Sequence, residues 1–280
     1  MTPRRAAARG LGQLALVAWS VLAAGPFALI IVLSLRTNTG IFANPLGLKG
    51  PYDVGNYAQA WTGPSGTAGM VDYFRNTAIA ALATLIVSLS VGSTAAYFAT
   101  TMTPRVRNWL LRAFLLGSVV PFVLIVIPLY QGYDALGALN NAATLGVAYG
   151  ALALPTTVLI MYSFYADFPR ELVEAAAIDG LGDFAAYLRI VLPLSKAALT
   201  AVGIVVLVYV WGEAQVGIVL LQQSQSQTVA VGVLGFQGQF TSDLAPMFAA
   251  LSIATIPVIL LYLAFNRFIA KGVALGGVFR

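Results

Sequence analysis

The stretch Glu174-Ala-Ala-Ala-Ile-Asp-Gly180, continued by Ile190-Val-Leu-Pro193, interrupts a strongly apolar chain with a cluster of charges. The residues leading up to it predict a short amphipathic helix. Asp167 is its expected N-cap, Pro169 lies in its first turn, and Gly180 is placed to end it in the left-handed conformation. This polar stretch separates the apolar segments that precede it from those that follow it.

A second short helix should follow the glycine turn. Asp183 is its expected N-cap, its apolar residues recur at helical spacing, and Pro193 should limit it. Two helices joined by a glycine turn form a protruding surface that another protein can bind. We call residues 167–196 the bracket.

The composition is that of a polytopic membrane protein. Of the 280 residues, 59% are hydrophobic and 9% are charged, whereas soluble domains carry about a quarter charged residues. Cysteine and histidine are both absent, which excludes disulfides, Ser-His-Asp triads and histidine zinc sites. We therefore expect no catalytic residue and no metal site.

Apolar runs of about 20 residues can cross the hydrocarbon as helices. The first such run is too long for a signal peptide, so we expect it to be retained. A short helix near Tyr57–Trp61 is expected in the outer loop, and Pro121, Pro128 and Pro155 should kink or break spans. The predicted fold is a single all-α membrane domain of residues 1–280, with a loop at 36–72 and spans at about 11–35, 76–101, 113–133, 142–165, 197–221 and 245–265.

The positive-inside rule orients these spans. With the N-terminus inside, all but three of the 15 lysines and arginines lie on the inner side, the exceptions being Arg36, Lys49 and Arg75. The opposite orientation would reverse that ratio. Both termini and the bracket, a helix pair between the fourth and fifth spans, are therefore predicted to be cytoplasmic.

The bracket matches a longer pattern: Glu-Ala-Ala, three residues, Gly, nine residues, Ile, one residue, then Leu-Pro. This resembles the signature loop in the membrane subunits of bacterial ABC importers that work with a binding protein. Residues 168–180 and 190–194 are similar to the carbohydrate branch, and the tail 266–277 is similar to the second permease of maltose-type systems. Shorter similar pieces are 74–77, 127–130, 136–140 and 211–213.

The resemblance covers about residues 74–280 and has two departures. The family usually has Trp-Asn-Glu-Phe where this chain has Trp211-Gly-Glu-Ala214, and its tail more often reads Gly-Leu-Thr-x-Gly-Ala-Val-Lys. The first departure removes a polar side chain at Gly212. Neither departure affects the bracket.

The resemblance implies a multi-pass subunit of the bacterial inner membrane that does not itself hydrolyse ATP. Two ATPase subunits, which hold ATP and Mg²⁺, dock on the bracket and drive alternating access. A solute-binding protein delivers a sugar, and a second, homologous permease completes a heterodimer. No phosphate loop occurs in this chain, so no cofactor is expected in it, nor is nucleic acid a partner. The implied coupling residues are Glu171, Glu174, Ala175, Ala176, Asp179, Gly180, Ile190, Leu192 and Pro193.

Polar side chains in the predicted spans are candidates for a solute path. Glu213 is the acidic residue deepest within a span, about 24 Å from its cytoplasmic start at ~1.5 Å per residue. A structural hydrogen bond at the subunit interface is the alternative role. Aromatic and amide side chains could contact a sugar, or they could anchor the helices at the membrane interface and pack between them. The candidates of this kind are Tyr130, Gln131, Tyr133, Tyr209 and Gln215.

Residues 222–227, which we call the glutamine loop, form a polar connection on the predicted outer side. It is either a solvated connector or a contact with the docked binding protein, as the same loop is in some importers it resembles. Amide side chains could compete for the hydroxyl hydrogen bonds of a sugar. The candidate residues are Gln222, Gln223, Gln225 and Gln227.

Two other functions remain open. A permease for another solute, such as glycerol phosphate, would carry the same bracket, and binding proteins loaded with different solutes would separate the two. A polytopic membrane enzyme is disfavoured because histidine and cysteine are absent and no acid/base pair lies in a span. Substrate turnover without an ATPase partner would favour that enzyme.

Overall fold

The computed structural model describes residues 3–47, 50–63, 68–236 and 244–277. Regular structure in these ranges is helical. The helices are α1 (Pro3–Ser34), α2 (Asn38–Ala43), α3 (Gly55–Thr62), α4 (Met70–Thr101), α5 (Pro104–Val119), α6 (Phe122–Ala135), α7 (Ala142–Ala166), α8 (Arg170–Ile178), α9 (Asp183–Ala186), α10 (Leu192–Leu194), α11 (Lys196–Gly212), α12 (Gln215–Leu220), α13 (Val229–Gly232) and α14 (Leu244–Gly277).

Four of these helices contain apolar segments long enough to cross a membrane: Gly12–Ser34, Met70–Thr101, Ala142–Ala166 and Leu244–Leu261. Two further pairs reach that length only with a sharp bend between their members. The pair α5 and α6 bends by 93°, and α11 bends by 77° from the helical segment before it, Asp183–Leu194. The described residues therefore provide four to six candidate spans.

The first bend confirms the break expected in the third predicted span, because Pro121 separates α5 from α6. Helix α6 continues through Pro128, and α7 continues through Pro155. The fifth span, predicted as one helix over 197–221, is wrong beyond Gly212, where α11 ends and the chain leaves the helical conformation at Glu213. Hydropathy alone did not indicate this break.

The chain groups into two compact units, residues 1–71 with 232–257 and residues 72–231 with 258–280. In the first unit, Arg36 is 4% exposed, and its guanidinium donates to the carbonyls of Gly40 and Asn44, both at 2.6 Å. These carbonyls belong to the C-terminal turn of α2, which favours a cation. Helix α3 confirms the short helix expected near Tyr57.

In the second unit, small residues bring α4 and α7 into close contact. A Cβ at Gly146 would lie 2.4 Å from the Ala80 carbonyl oxygen, so only glycine fits there. Across the same interface, Thr84 Oγ1 donates to the Gly146 carbonyl at 3.0 Å, and Ser88 bonds Thr157 at 2.6 Å. Inside a membrane the hydrophobic effect does not drive helices together, so helices associate through close packing of small residues and through hydrogen bonds of this kind.

Candidate functional site

The first arm of the bracket is α8. Its C-terminus is as predicted: Gly180 has φ +78°, its N–H donates to the Ala177 carbonyl at 3.0 Å, and the Leu181 N–H donates to the Ala176 carbonyl at 2.9 Å. This pair of bonds is a Schellman motif, in which the left-handed glycine satisfies the last carbonyls of a helix. The glycine turn is therefore a defined structural element.

The N-terminus of α8 differs from the prediction. Asp167 is the C-cap of α7, and α8 begins only after Pro169, which has no side-chain cap bond. The residue before a proline is pushed away from the helical region, so a helix cannot run from Asp167 through Phe168 into the proline. The predicted N-cap role of Asp167 is wrong.

The second arm begins at Gly182, so Asp183 lies in the first turn of α9 and is not its N-cap. The chain continues as a π-helical turn, Tyr187–Val191, and then as α10. Pro193 lies within α10 and does not end it. Since Pro193 has no N–H, the Arg189 carbonyl lacks its usual partner four residues ahead, and a π turn accommodates that loss.

Buried residues of the π turn fix this second arm in the helical core. Tyr187 is 2% exposed and Val191 is fully buried. The Tyr187 hydroxyl lies 2.9 Å from Ser93 Oγ, which also lies 2.7 Å from the Tyr165 hydroxyl. The Tyr187 ring stacks on Tyr97 with centroids 4.9 Å apart. The bracket therefore has a rigid base.

The outer face of the bracket combines exposed apolar and acidic side chains. Ile178 is 87% exposed and Phe184 is 57% exposed, and neither was predicted from the sequence to be a coupling residue. The predicted coupling residues fall into three groups. Ala176 is buried, Ile190 and Leu192 are half-buried, and the exposed members are Glu171, Glu174, Ala175, Asp179, Gly180 and Pro193.

Glu213 occupies the break between α11 and α12. Its Oε1 accepts from the Val216 N–H at 3.1 Å, which caps α12, while the Tyr149 hydroxyl donates to its main-chain carbonyl at 3.2 Å. Its other carboxylate oxygen, Oε2, is buried without a hydrogen-bond partner. Within the described residues this carboxylate therefore holds a helix break and retains one free acceptor.

The other path candidates have separate positions. Tyr209 and Gln215 are exposed on either side of the Glu213 break, and the Tyr209 ring meets the Tyr149 ring edge-on. Tyr130 is half-buried and Gln131 is exposed on α6. Tyr133, also on α6, donates to the Thr144 carbonyl at 3.0 Å and so anchors α7. Three candidates thus lie near the break: Tyr209, Glu213 and Gln215.

Two asparagines hold the main chain of the glutamine loop. Asn140 Oδ1 accepts from the N–H groups of Gln222 and Gln223 at 2.7 and 2.8 Å. Asn76 Nδ2 donates to the carbonyls of Gln225 and Gln227 at 2.7 and 3.0 Å. The loop is a fixed turn that leaves three glutamine side chains exposed, those of Gln222, Gln223 and Gln225.

Neither asparagine was predicted to organise this loop. The sequence did contain a signal, because Asn76 and Asn140 belong to two of the short pieces that resemble the importer family. Within the described part of the chain, no group of three histidine, cysteine, aspartate or glutamate residues could hold a metal ion.

The family model described as "Binding-protein-dependent transport system inner membrane component" matches residues 88–275. The chain belongs to this family. It is 30% identical to the diacetylchitobiose uptake system permease protein of Streptomyces coelicolor over 93% of this chain and 86% of that protein. It is 28% identical to a melibiose/raffinose/stachyose import permease protein of Bacillus subtilis, over 90% of each.

A trehalose/maltose transport system permease protein of Thermococcus litoralis is 29% identical over 90% of each chain. A crystal structure of a bacterial ABC transporter involved in the import of the polysaccharide alginate contains a chain with the same fold. The TM-score is 0.76 at 17% identity, over 95% of this chain and 98% of that one. The family and the apolar helices together identify a multi-pass membrane protein.

Proposed function

We propose that this chain is the membrane-spanning subunit of an ATP-driven sugar importer, and that ATPase subunits dock on the outer face of the bracket. The observation that carries the docking is Ile178, an isoleucine left 87% exposed at the end of α8. Fully exposing a large aliphatic side chain is unfavourable by about 1.5–3 kcal/mol relative to burying it. A partner that covers Ile178 would recover that free energy.

The arrangement around Ile178 supports docking rather than lipid contact. Glu171, Glu174 and Asp179 are exposed on the same short helix and its cap, and carboxylates are costly in hydrocarbon. An exposed apolar residue on a helix that also carries exposed charges is typical of a protein interface with an apolar centre and a polar rim. The buried Tyr187 below would transmit movement of the bracket to α4 and α7.

The sugar assignment rests on the relatives, whose names specify diacetylchitobiose, raffinose-type sugars and trehalose or maltose. We place the termini and the bracket on the cytoplasmic side of the bacterial inner membrane, as the distribution of arginine and lysine predicts. A second permease, two ATPase subunits carrying ATP and Mg²⁺, and an extracytoplasmic binding protein complete the assembly. The three exposed glutamines of the glutamine loop would face that binding protein.

Replacing one exposed aliphatic residue tests the docking. Ile178→Ser should reduce copurification of the ATPase subunits and sugar uptake together, because the apolar centre of the interface is lost. Leu46→Ser is the matched control, since Leu46 is 75% exposed in the loop before α3. If Ile178→Ser retained the ATPase as well as Leu46→Ser does, the docking face would be wrong. Mass spectrometry of the solute bound to the purified complex would test the sugar assignment separately.

A further inference from the structure

A cavity of about 360 Å³ lies behind α8, and its walls come from four helices. This volume is within the range of about 300–1,000 Å³ typical of small-molecule sites. The last turn of α4, the first turn of α5, the last turn of α7 and the first turn of α8 all contribute. The charged side chains in its lining are Arg107, Arg170 and Glu174, and the tyrosines are Tyr97, Tyr162 and Tyr165.

The cavity is lined by two arginines, and one of them has a buried donor without a partner. Arg107 Nε is buried and donates no hydrogen bond. Within the described residues, neither Arg107 nor Arg170 forms an ion pair with a carboxylate, since the ion pair found there joins Arg75 and Asp72. A buried guanidinium N–H without an acceptor is costly, so an acceptor from outside the chain would be favourable here.

The two guanidinium groups come from different helices, Arg107 from α5 and Arg170 from α8. Helix α8 also lacks a side-chain cap at its N-terminus. Arginine forks and uncapped helix starts both favour a phosphate group. Glu174 is the one carboxylate among the lining residues, and it leaves the cavity with a net positive charge.

The residues that line the cavity also lie at or near the ends of apolar helices. Thr100 and Thr101 end α4, Arg107 is in the first turn of α5, and Tyr162 and Tyr165 are in the last two turns of α7. Tyrosine and arginine at the ends of apolar helices are typical of the membrane interface. A basic pocket between helix ends on that side suits an anionic headgroup.

We propose that this cavity binds a phosphate group between Arg107 and Arg170, supplied either by an anionic phospholipid or by a free phosphate. The occupant would bridge α5 and α8 and so brace the base of the docking face. Only this effect on the docking face rests on the proposed function. Binding of the phosphate itself depends on the cavity alone.

The test is a titration of the full-length chain, purified in detergent and stripped of lipid. Thermal unfolding is followed with phosphatidylglycerol, with phosphatidylcholine and with inorganic phosphate. We expect phosphatidylglycerol to stabilise the chain, and Arg107→Gln to weaken its apparent affinity about tenfold, the loss expected for one charge-assisted hydrogen bond. Glu174→Gln should bind more tightly, because the competing carboxylate is gone.

Arg112→Gln is the matched control, because Arg112 lies on the same helix, is exposed and does not line the cavity. A response to inorganic phosphate that depends on Arg107 would identify a free anion as the source. Equal effects of Arg107→Gln and Arg112→Gln would overturn the proposal. Equal stabilisation by phosphatidylcholine and phosphatidylglycerol, together with no response to inorganic phosphate, would also overturn it. Copurification with Ile178→Ser reports on docking independently, so failure of one leaves the other standing.

Discussion

The bracket and the glutamine loop are both short polar connections between apolar helices, but they are held in place differently. The bracket carries its own anchors, since Tyr187 and Val191 are buried and Gly180 closes a local hydrogen-bond motif. The glutamine loop is held by Asn76 and Asn140, which are distant along the chain. The bracket contributes its own buried anchor residues, whereas the glutamine loop depends on anchor residues from other segments of the chain.

The strongest test of this comparison is Tyr187→Ala. Removing a buried aromatic ring should cost about 3–5 kcal/mol of the free energy of unfolding, because the cavity left behind cannot fully collapse. The bracket should lose its base, and ATPase copurification should fall with it. Denaturation in detergent micelles measures the first effect and affinity purification the second.

Leu188→Ala is the control for Tyr187→Ala, because Leu188 is the next residue and is 45% exposed. Tyr187→Phe keeps the ring and removes only the hydroxyl that lies 2.9 Å from Ser93 Oγ, at an expected cost of about 1 kcal/mol. Similar losses for Leu188→Ala and Tyr187→Ala would show that the bracket is not anchored through the buried ring.

The second test addresses the glutamine loop. Asn140→Ala removes the acceptor of two main-chain N–H groups and places alanine at φ +56°, which should cost about 2 kcal/mol locally. Hydrogen exchange at Gln222 and Gln223 should become faster, and sugar uptake should fall, while exchange in the bracket stays unchanged.

Asn140→Gly separates the two contributions, because glycine tolerates the left-handed backbone but offers no acceptor. It should accelerate exchange at the same amides with a smaller loss of stability. Unchanged exchange in both variants would mean that the loop holds its conformation without Asn140, and the contrast with the bracket would disappear.

The same contrast explains what the sequence could predict. The glycine stop of α8 was predictable because a Schellman motif involves only neighbouring residues. The helix start was wrong because Pro169 overrode the capping preference of Asp167. The break at Glu213 was missed because hydropathy windows do not register a side chain that caps the next helix, as Glu213 Oε1 does for the Val216 N–H. The partners of Asn140 could not be predicted locally, because Gln222 and Gln223 lie 82 and 83 residues further along the chain.

The smallest expected effect comes from a pair of glycines in the bracket. Gly180 has φ +78° and Gly182 has φ −71°, and no heavy atom lies within 4 Å of a Cβ built at either one. Both positions therefore have room for a Cβ, and they differ only in backbone conformation. Gly180→Ala should cost about 1 kcal/mol because an L-residue is strained in the left-handed region. Gly182→Ala should be neutral or slightly stabilising, because it restricts the unfolded chain.

Thermal unfolding of the two variants in the same detergent measures this difference, and ATPase copurification shows whether the turn also matters for docking. If docking requires the turn between α8 and α9, copurification should weaken for Gly180→Ala alone. If both variants behave alike, the Schellman turn contributes little, and the buried π turn alone holds the bracket. That result would make the bracket resemble the glutamine loop, with its conformation imposed by the surrounding helices.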